Sequence, residues 1–395
     1  VKYSCVILLW RWIKMKKKYI IFFIVTLVLL VALITSFNYF KTTNAYIDDS
    51  VNNQTKITKG ISMNLEQTAG AGDYKTVTRS SWPTEGYKFN AELSRCENGS
   101  TLSWDDTKKA VIVSGNLSDK CYVYFDIYQP TLAEYIKSQY TGTQGENSLY
   151  YHNSSLTNGA GDNSYRYAGA SDSVNNYICL GSDEATCPDA NLFRIIGVFG
   201  DKTKVIRAKS VGNQKWHTSE SNTWSSSSLN AYLNGTYLTS LGTIAEKIAT
   251  TTWKVGGCSW SNIETSVPKI VYKNEVGSSA STTTVDKKIG LMYISDYYYS
   301  ASPSAWTLVG YNKSDATKDY SAAKTINWLY LGSKEWTISR VSDETFSAFI
   351  VDGSGHVFSY NVNFSNFAVR PSFNLDSTVT YVSGDGTKSN PIRIN

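Results

Sequence analysis

The order of apolar and polar positions changes character several times along this chain. Residues 19–40, YIIFFIVTLVLLVALITSFNYF, run without a charge, and at about 1.5 Å per helical residue such a run is long enough to cross a bilayer as a helix. Residues 41–57 carry no hydrophobic period and read as a polar stalk. From 58 to 127 the period becomes two. Val111 and Val113, then Tyr122 and Tyr124, alternate with their neighbours in short runs separated by Gly, Asn and Asp, which predicts a small all-β module.

Pro130 marks the next boundary, and residues 128–395 mix both periods. Leu132, Tyr135 and Ile136 fall at helical spacing. "NLFRIIGVFG" and "TKVIRAKS" read as successive strands turned at Gly200, Asp201 and Lys202, whereas "WSSSSLNAYLNGTYLTSLGTIAEKIA" (224–249) reads as a helix interrupted at Gly235. "KKIGLMYIS" is expected as a strand and "DYYYSAS" as a short helix or turn. The last sixty or so residues return to period two, with a hairpin turn at Asp352 to Gly355. Early helices followed by an antiparallel meander predict an α+β domain.

Charge narrows the partners. The net charge is +5, but Lys2, Arg11, Lys14, Lys16, Lys17 and Lys18 supply more than all of it, so the rest of the chain is close to neutral. A body without clustered Lys and Arg has no footprint for nucleic acid. The lysines before residues 19–40, with Asp48 and Asp49 after them, predict a cell-membrane protein with a cytoplasmic N-terminus (1–18), a single pass through the lipid bilayer and an extracellular C-terminal domain.

Of six cysteines, Cys96 and Cys121 fall in one self-contained segment and Cys179 and Cys187 in another. Disulfides persist in an oxidising compartment, although spacing alone does not fix connectivity. Cys258 is left single. With three histidines and no CxxC, no metal site or cofactor is expected. Asp352, Ser354 and His356 sit too close on one tight turn to converge as a catalytic triad, and "GGCSW" around Cys258 matches no thiol-hydrolase signature. No catalytic residue is therefore assigned.

The segment "GHVFSYNVNFSNFAVRPSFNL" (355–375) is the most suggestive. On a strand Phe358, Tyr360, Val362 and Phe364 share one face, and Val357, Ser359, Asn361 and Asn363 the other. Tyr offers rigid amphipathic area and Asn adaptable hydrogen bonds, the chemistry of recognition surfaces. Arg370, in an apolar strand, must be paired if it is buried.

Taken in order, "YICLGSD", "NLFRIIGVFG", "SSSLNAYLNGTYL", "KIGLMYISD", "EWTISR" and the segment ending "VRPSF" resemble a module at the C-terminus of bacterial envelope proteins. That module is similar to the C-type-lectin-like fold of formylglycine-generating enzymes and of the variable proteins of diversity-generating retroelements. The resemblance implies a C-type-lectin-like α+β domain over 128–395, preceded by the disulfide-bonded β module and the transmembrane helix. It places Tyr360, Asn361, Asn363 and Asn366 at a ligand surface, to which Trp336 and Arg340 are added as candidates. The calcium-binding triplets of sugar-binding lectins and the paired cysteines of the enzyme are missing. The expectation is a non-enzymatic binding or adhesion protein for a glycan, peptide or surface partner. The alternatives are an enzyme of the formylglycine-generating or thiol-hydrolase type, or a purely structural envelope protein.

Overall fold

The computed structural model describes residues 60–395, apart from Glu85, Leu117 and Ser365. The chain divides at Gln129/Pro130 into two compact units.

The first unit is a small sheet. Strands β1 (Ile61–Glu66), β2 (Tyr74–Val77), β3 (Tyr87–Cys96) and β6 (Cys121–Ile127) lie in the order β2-β1-β6-β3, and β4 (Thr101–Asp105) pairs with β5 (Ala110–Ser114) as a hairpin. Along β6 the buried positions are Cys121, Val123 and Phe125. Trp82, Phe89 and Trp104 surround the Phe125 ring with centroids 5.7–5.9 Å away. Cys96 and Cys121 face each other across β3 and β6 and are disulfide-bonded.

The second unit is built on two larger sheets. The first has the order β15-β20-β11-β10-β8-β7, with β9 also paired to β10. Its strands are β7 (Leu149–Tyr151), β8 (Tyr165–Tyr167), β9 (Tyr177–Cys179), β10 (Leu192–Phe199), β11 (Lys202–Arg207), β15 (Ile289–Gly290) and β20 (Ser372–Leu375). The second has the order β12-β19-β16-β17-β18, from β12 (Asn213–Gln214), β16 (Glu335–Arg340), β17 (Ser347–Val351), β18 (Val357–Asn361) and β19 (Phe367–Ala368). β13 (Thr251–Lys254) and β14 (Thr284–Lys287) form a separate ribbon, as do β21 (Tyr381–Ser383) and β22 (Arg393–Ile394). Ile195, Val205 and Phe373 of the first large sheet share one core with Trp336, Ile338 and Phe349 of the second and with the helical residues Leu229, Leu233, Val271 and Ile294. Cys179 and Cys187 are bonded at the mouth of β9.

Two expectations are corrected. The α+β, lectin-like class gives way to a predominantly β protein, because helices account for only 18% of it. The reason is local. The run 224–249 is continuously helical only over Ser228–Ser240, with a π segment at Leu233–Tyr237 around Gly235, and ends in a 3-10 turn at Gly242–Glu246, while the tyrosine-rich segment supplies only the six-residue helix Ile294–Tyr299. The transmembrane helix expected at 19–40 lies outside the described residues. Among those described, no helix is long and apolar enough to cross a membrane, so the single-pass cell-membrane placement is not supported.

Candidate functional site

β18 is the edge strand of the five-stranded sheet, paired with β17 on one side, and on the other only its first residue is bonded, the Val357 N–H donating to the Gly310 carbonyl at 3.1 Å. An open strand edge invites further pairing unless something blunts it. Here aromatic side chains do so. Trp260, at the start of the helix Trp260–Thr265, lies edge-on to Phe358 at 5.2 Å and nearly parallel to Phe349 at 6.1 Å. Tyr311, from the loop between the segments 303–305 and 320–326, packs edge-on against Phe358 at 5.3 Å and against His356 at 4.8 Å. All four of Trp260, Tyr311, His356 and Phe358 are half-buried, with one side still open to solvent.

Two open concavities flank this cluster and meet at Lys313. The larger, about 710 Å³, is lined by Thr265, Leu308, Tyr311, Asn312 and Lys313 among others. The smaller, about 310 Å³, is lined by Trp260, Asp343, Glu344, Phe358 and Ser359. Asp343 and Glu344 come from the turn between β16 and β17, and the Asp343 carboxylate accepts the Trp260 backbone N–H at 3.3 Å. The result is a shallow trough with aromatic walls and mixed polar rims.

Of the residues singled out in sequence, Tyr360, Asn361, Asn363 and Asn366 lie together at the end of β18 and in the turn after it, whereas Trp336 and Arg340 do not join them. Trp336 is fully buried, donates its indole N–H to the Gln214 carbonyl at 2.9 Å and packs on Phe367, so it is core and no stacking platform. Arg340 donates to the Gly256 carbonyl at 3.0 Å and to the Asn222 side chain at 3.3 Å, which ties β16 to two loops. Tyr360 is half-exposed, edge-on to Phe367 at 4.9 Å with the Lys334 ammonium 4.7 Å over its ring. The Asn361 side chain accepts the Asn363 N–H at 3.1 Å and shapes the turn that ends β18. Asn366 is exposed just beyond it. The strict alternation breaks at that turn: Val362 is buried, and Phe364 is 74% exposed. Trp260, Tyr311 and Lys313 escaped the sequence reading because they come from helix and loop segments that no period ties to β18.

The reactive groups are spoken for. Cys258 is buried, and burial pushes its thiol well above its usual range, with the Glu275 carboxylate adding to the effect. One ring nitrogen of His356 faces the Asp319 carboxylate at 3.2 Å and the other the Asp352 carboxylate at 3.6 Å, so neither points at Ser354. Arg370 forms the expected pair: its guanidinium meets Glu335 twice at 2.7 Å, and both side chains are buried. Among the described residues there is no cluster of three or more His, Cys, Asp or Glu arranged for a metal ion.

Comparison with known proteins adds one finding. Residues 200–377, less than half of the chain, match a family described as a domain of unknown function (DUF6273). No curated protein and no solved structure matches, and no C-type-lectin or formylglycine-generating-enzyme family is matched either.

Proposed function

We propose that residues 130–395 are a non-enzymatic binding module, and that its ligand is a glycan chain lying along the open edge of β18. The observation that carries this reading is the aromatic row at that edge. Phe358 and Tyr360 pair with Ile350 and Ala348 in unbroken register, so they project to the same side of the strand, roughly 7 Å apart. Tyr311 and Trp260 extend the row at one end, and Phe364, 6.4 Å from Tyr360, extends it at the other. Flat half-exposed rings beside Asn, Thr and Ser side chains suit the apolar faces and hydroxyls of sugar rings. A near-neutral body without a basic patch argues against a polyanionic ligand. The lectin-like resemblance carries none of this.

The test is a glycan array probed with the intact chain, followed by calorimetric titration of any hit. Tyr311→Ala and Tyr360→Ala should each weaken binding about tenfold, or roughly 1.4 kcal/mol, with thermal unfolding little changed. An array without hits, or hits bound equally by both variants, would remove the reading. A peptide binder would show instead as capture of extended peptides through the free backbone of β18.

A further inference from the structure

The seven-stranded sheet carries a row of side chains that the trough does not use. Gly197 of β10 faces Arg166 of β8 on one side and Lys204 of β11 on the other. A Cβ at Gly197 would collide with the Tyr165 carbonyl, so glycine lets β8 lie close, and the two long cations on either side of it turn to the same carboxylate. They reach Asp296, the third residue of the helix Ile294–Tyr299. Lys204 Nζ is 2.5 Å from Asp296 Oδ2, and Arg166 Nη1 is 4.0 Å from Oδ1. Lys204 and Asp296 are 5% and 2% exposed.

The surroundings of this pair are dry and aromatic. The rings of Tyr293, Trp253 and Phe199 lie 4.5, 5.3 and 5.8 Å from the Lys204 ammonium. A second buried acid, Glu275, ends the helix Pro268–Glu275, and its charge acts on Lys204. It accepts the backbone N–H groups of Ile294 and Ser295 at 2.9 Å each, and the Ser339 hydroxyl donates to it as well. Those two amides immediately precede Asp296 in the chain. A buried lysine paired to a carboxylate is weak as a stability device, and here the amine and the carboxylate are held in contact among three rings, where they can react.

We propose that Lys204 and Asp296 condense spontaneously into an intramolecular isopeptide bond, with Glu275 carrying the proton. Condensation requires the neutral pair, which transfer of one proton from the Lys204 ammonium to the Asp296 carboxylate supplies. The amine lone pair attacks Cγ of Asp296 and the C–N bond forms. The C–O bond to the hydroxyl then breaks. The proton lost by nitrogen passes through Glu275 to that hydroxyl, which leaves as water. No oxidant or reductant is needed.

Three features of the site fit these steps. Burial lowers the pKa of Lys204 and raises that of Glu275, so the amine is the easier to deprotonate and Glu275 is available as an acid. If Oδ2 is the oxygen that remains on Asp296, the Tyr293 N–H, which donates to it at 2.8 Å, meets the charge developing there, while the Arg166 guanidinium stands 4.0 Å from Oδ1. Arg166 is not stranded when the Asp296 charge disappears, because Asp162 holds it at 2.6 Å. The link would close a loop of 92 residues, against separations of 25 and 8 for the two disulfides.

The experiment is the intact mass of the purified full chain, reduced and denatured. We expect a mass lower by one water than the sequence requires, and a proteolytic digest containing one branched peptide that joins the Lys204 and Asp296 segments. That peptide separates the link from dehydration of an aspartate within its own chain. Asp296→Asn should lose ammonia in place of water. Glu275→Gln should keep the unlinked mass while retaining native near-ultraviolet dichroism. Wild-type protein at the unlinked mass, with Lys204 and Asp296 on separate linear peptides, overturns the proposal. A folded Glu275→Gln chain that is still linked overturns the role of Glu275.

Discussion

The ion pair between Glu335 and Arg370 makes a quantitative prediction with two unequal halves. Both side chains are buried, at 1% and 3% exposure, and the guanidinium also donates to the Leu329 carbonyl at 2.6 Å. Arg370 further acts against Arg194, a second buried guanidinium held between Tyr177 and Trp328. Glu335→Gln therefore leaves two neighbouring cations without the carboxylate that faced one of them, and arginine cannot shed its proton to escape. The expected loss is about 3–5 kcal/mol. Arg370→Met leaves the opposite charge, and a carboxylate does have an escape. Burial already pushes Glu335 upward, with Arg370 pulling against it, so without Arg370 it takes up a proton. Protonating a carboxyl of ordinary pKa about 4.3 at pH 7 costs at most about 3.7 kcal/mol, and at pH 5 about 1 kcal/mol. The sign follows: a group whose folded pKa is raised gives its full stability below its unfolded pKa and loses it as pH rises through the folded one. Arg370→Met should thus recover most of its deficit relative to wild type between pH 7 and pH 5, whereas Glu335→Gln should not. Denaturant unfolding of the intact chain, followed by tryptophan fluorescence at both pH values, measures this. A Glu335→Gln deficit under about 1 kcal/mol, or an Arg370→Met deficit that ignores pH, would refute the argument.

Two further outcomes are expected. Replacing Cys96 and Cys121 by Ser should cost the first unit about 3.5 kcal/mol by loop entropy, and replacing Cys179 and Cys187 about 2.5 kcal/mol in the second, given separations of 25 and 8 residues; calorimetry of each variant would show the first unit losing more, and equal losses would count against the entropic account. Cys258, buried with its thiol pushed up, should resist iodoacetamide in the folded, oxidised protein and react only once denaturant is added, and rapid labelling of the native chain would contradict the burial.

What the sequence disclosed was local. The helix at Leu132–Ser138, the β10 and β11 hairpin and the turn between β17 and β18 all follow from neighbours a few residues apart, whereas the break expected at Gly235 is a π segment within a helix that continues to Ser240. Choosing which face is buried was harder. In β6 the apolar Tyr122 and Tyr124 suggested the inward side, yet Val123 and Phe125 fill the core while Tyr122 donates to Glu97 at 2.9 Å. Tyrosine is amphipathic, so period two alone does not orient it. Trp336 failed as a candidate for a related reason. Five of the six positions of β16 are buried, including those that alternation would place outside, because other elements cover both faces of the strand. The trough and the Lys204 row were illegible since each joins residues from strands, helices and loops that only the tertiary fold brings together.

The match over residues 200–377 also bears on what the unit of function is. It begins in the turn between β10 and β11, so it omits β7 to β10, which supply four strands of the seven-stranded sheet. It also stops before residues 380 and 392, which bridge to residues 131 and 178. The matched stretch therefore lacks strands that complete its own core. Yet every residue of the aromatic row lies inside it, and so do Lys204, Glu275 and Asp296, whereas Arg166 and Asp162 lie outside. If the Lys204 link forms, it ties β11, at the torn edge of that stretch, to the helix beneath which the sheet packs its charges. A chain sharing only 200–377 would have to supply another strand for β11 and another cation beside Asp296 to keep the same chemistry.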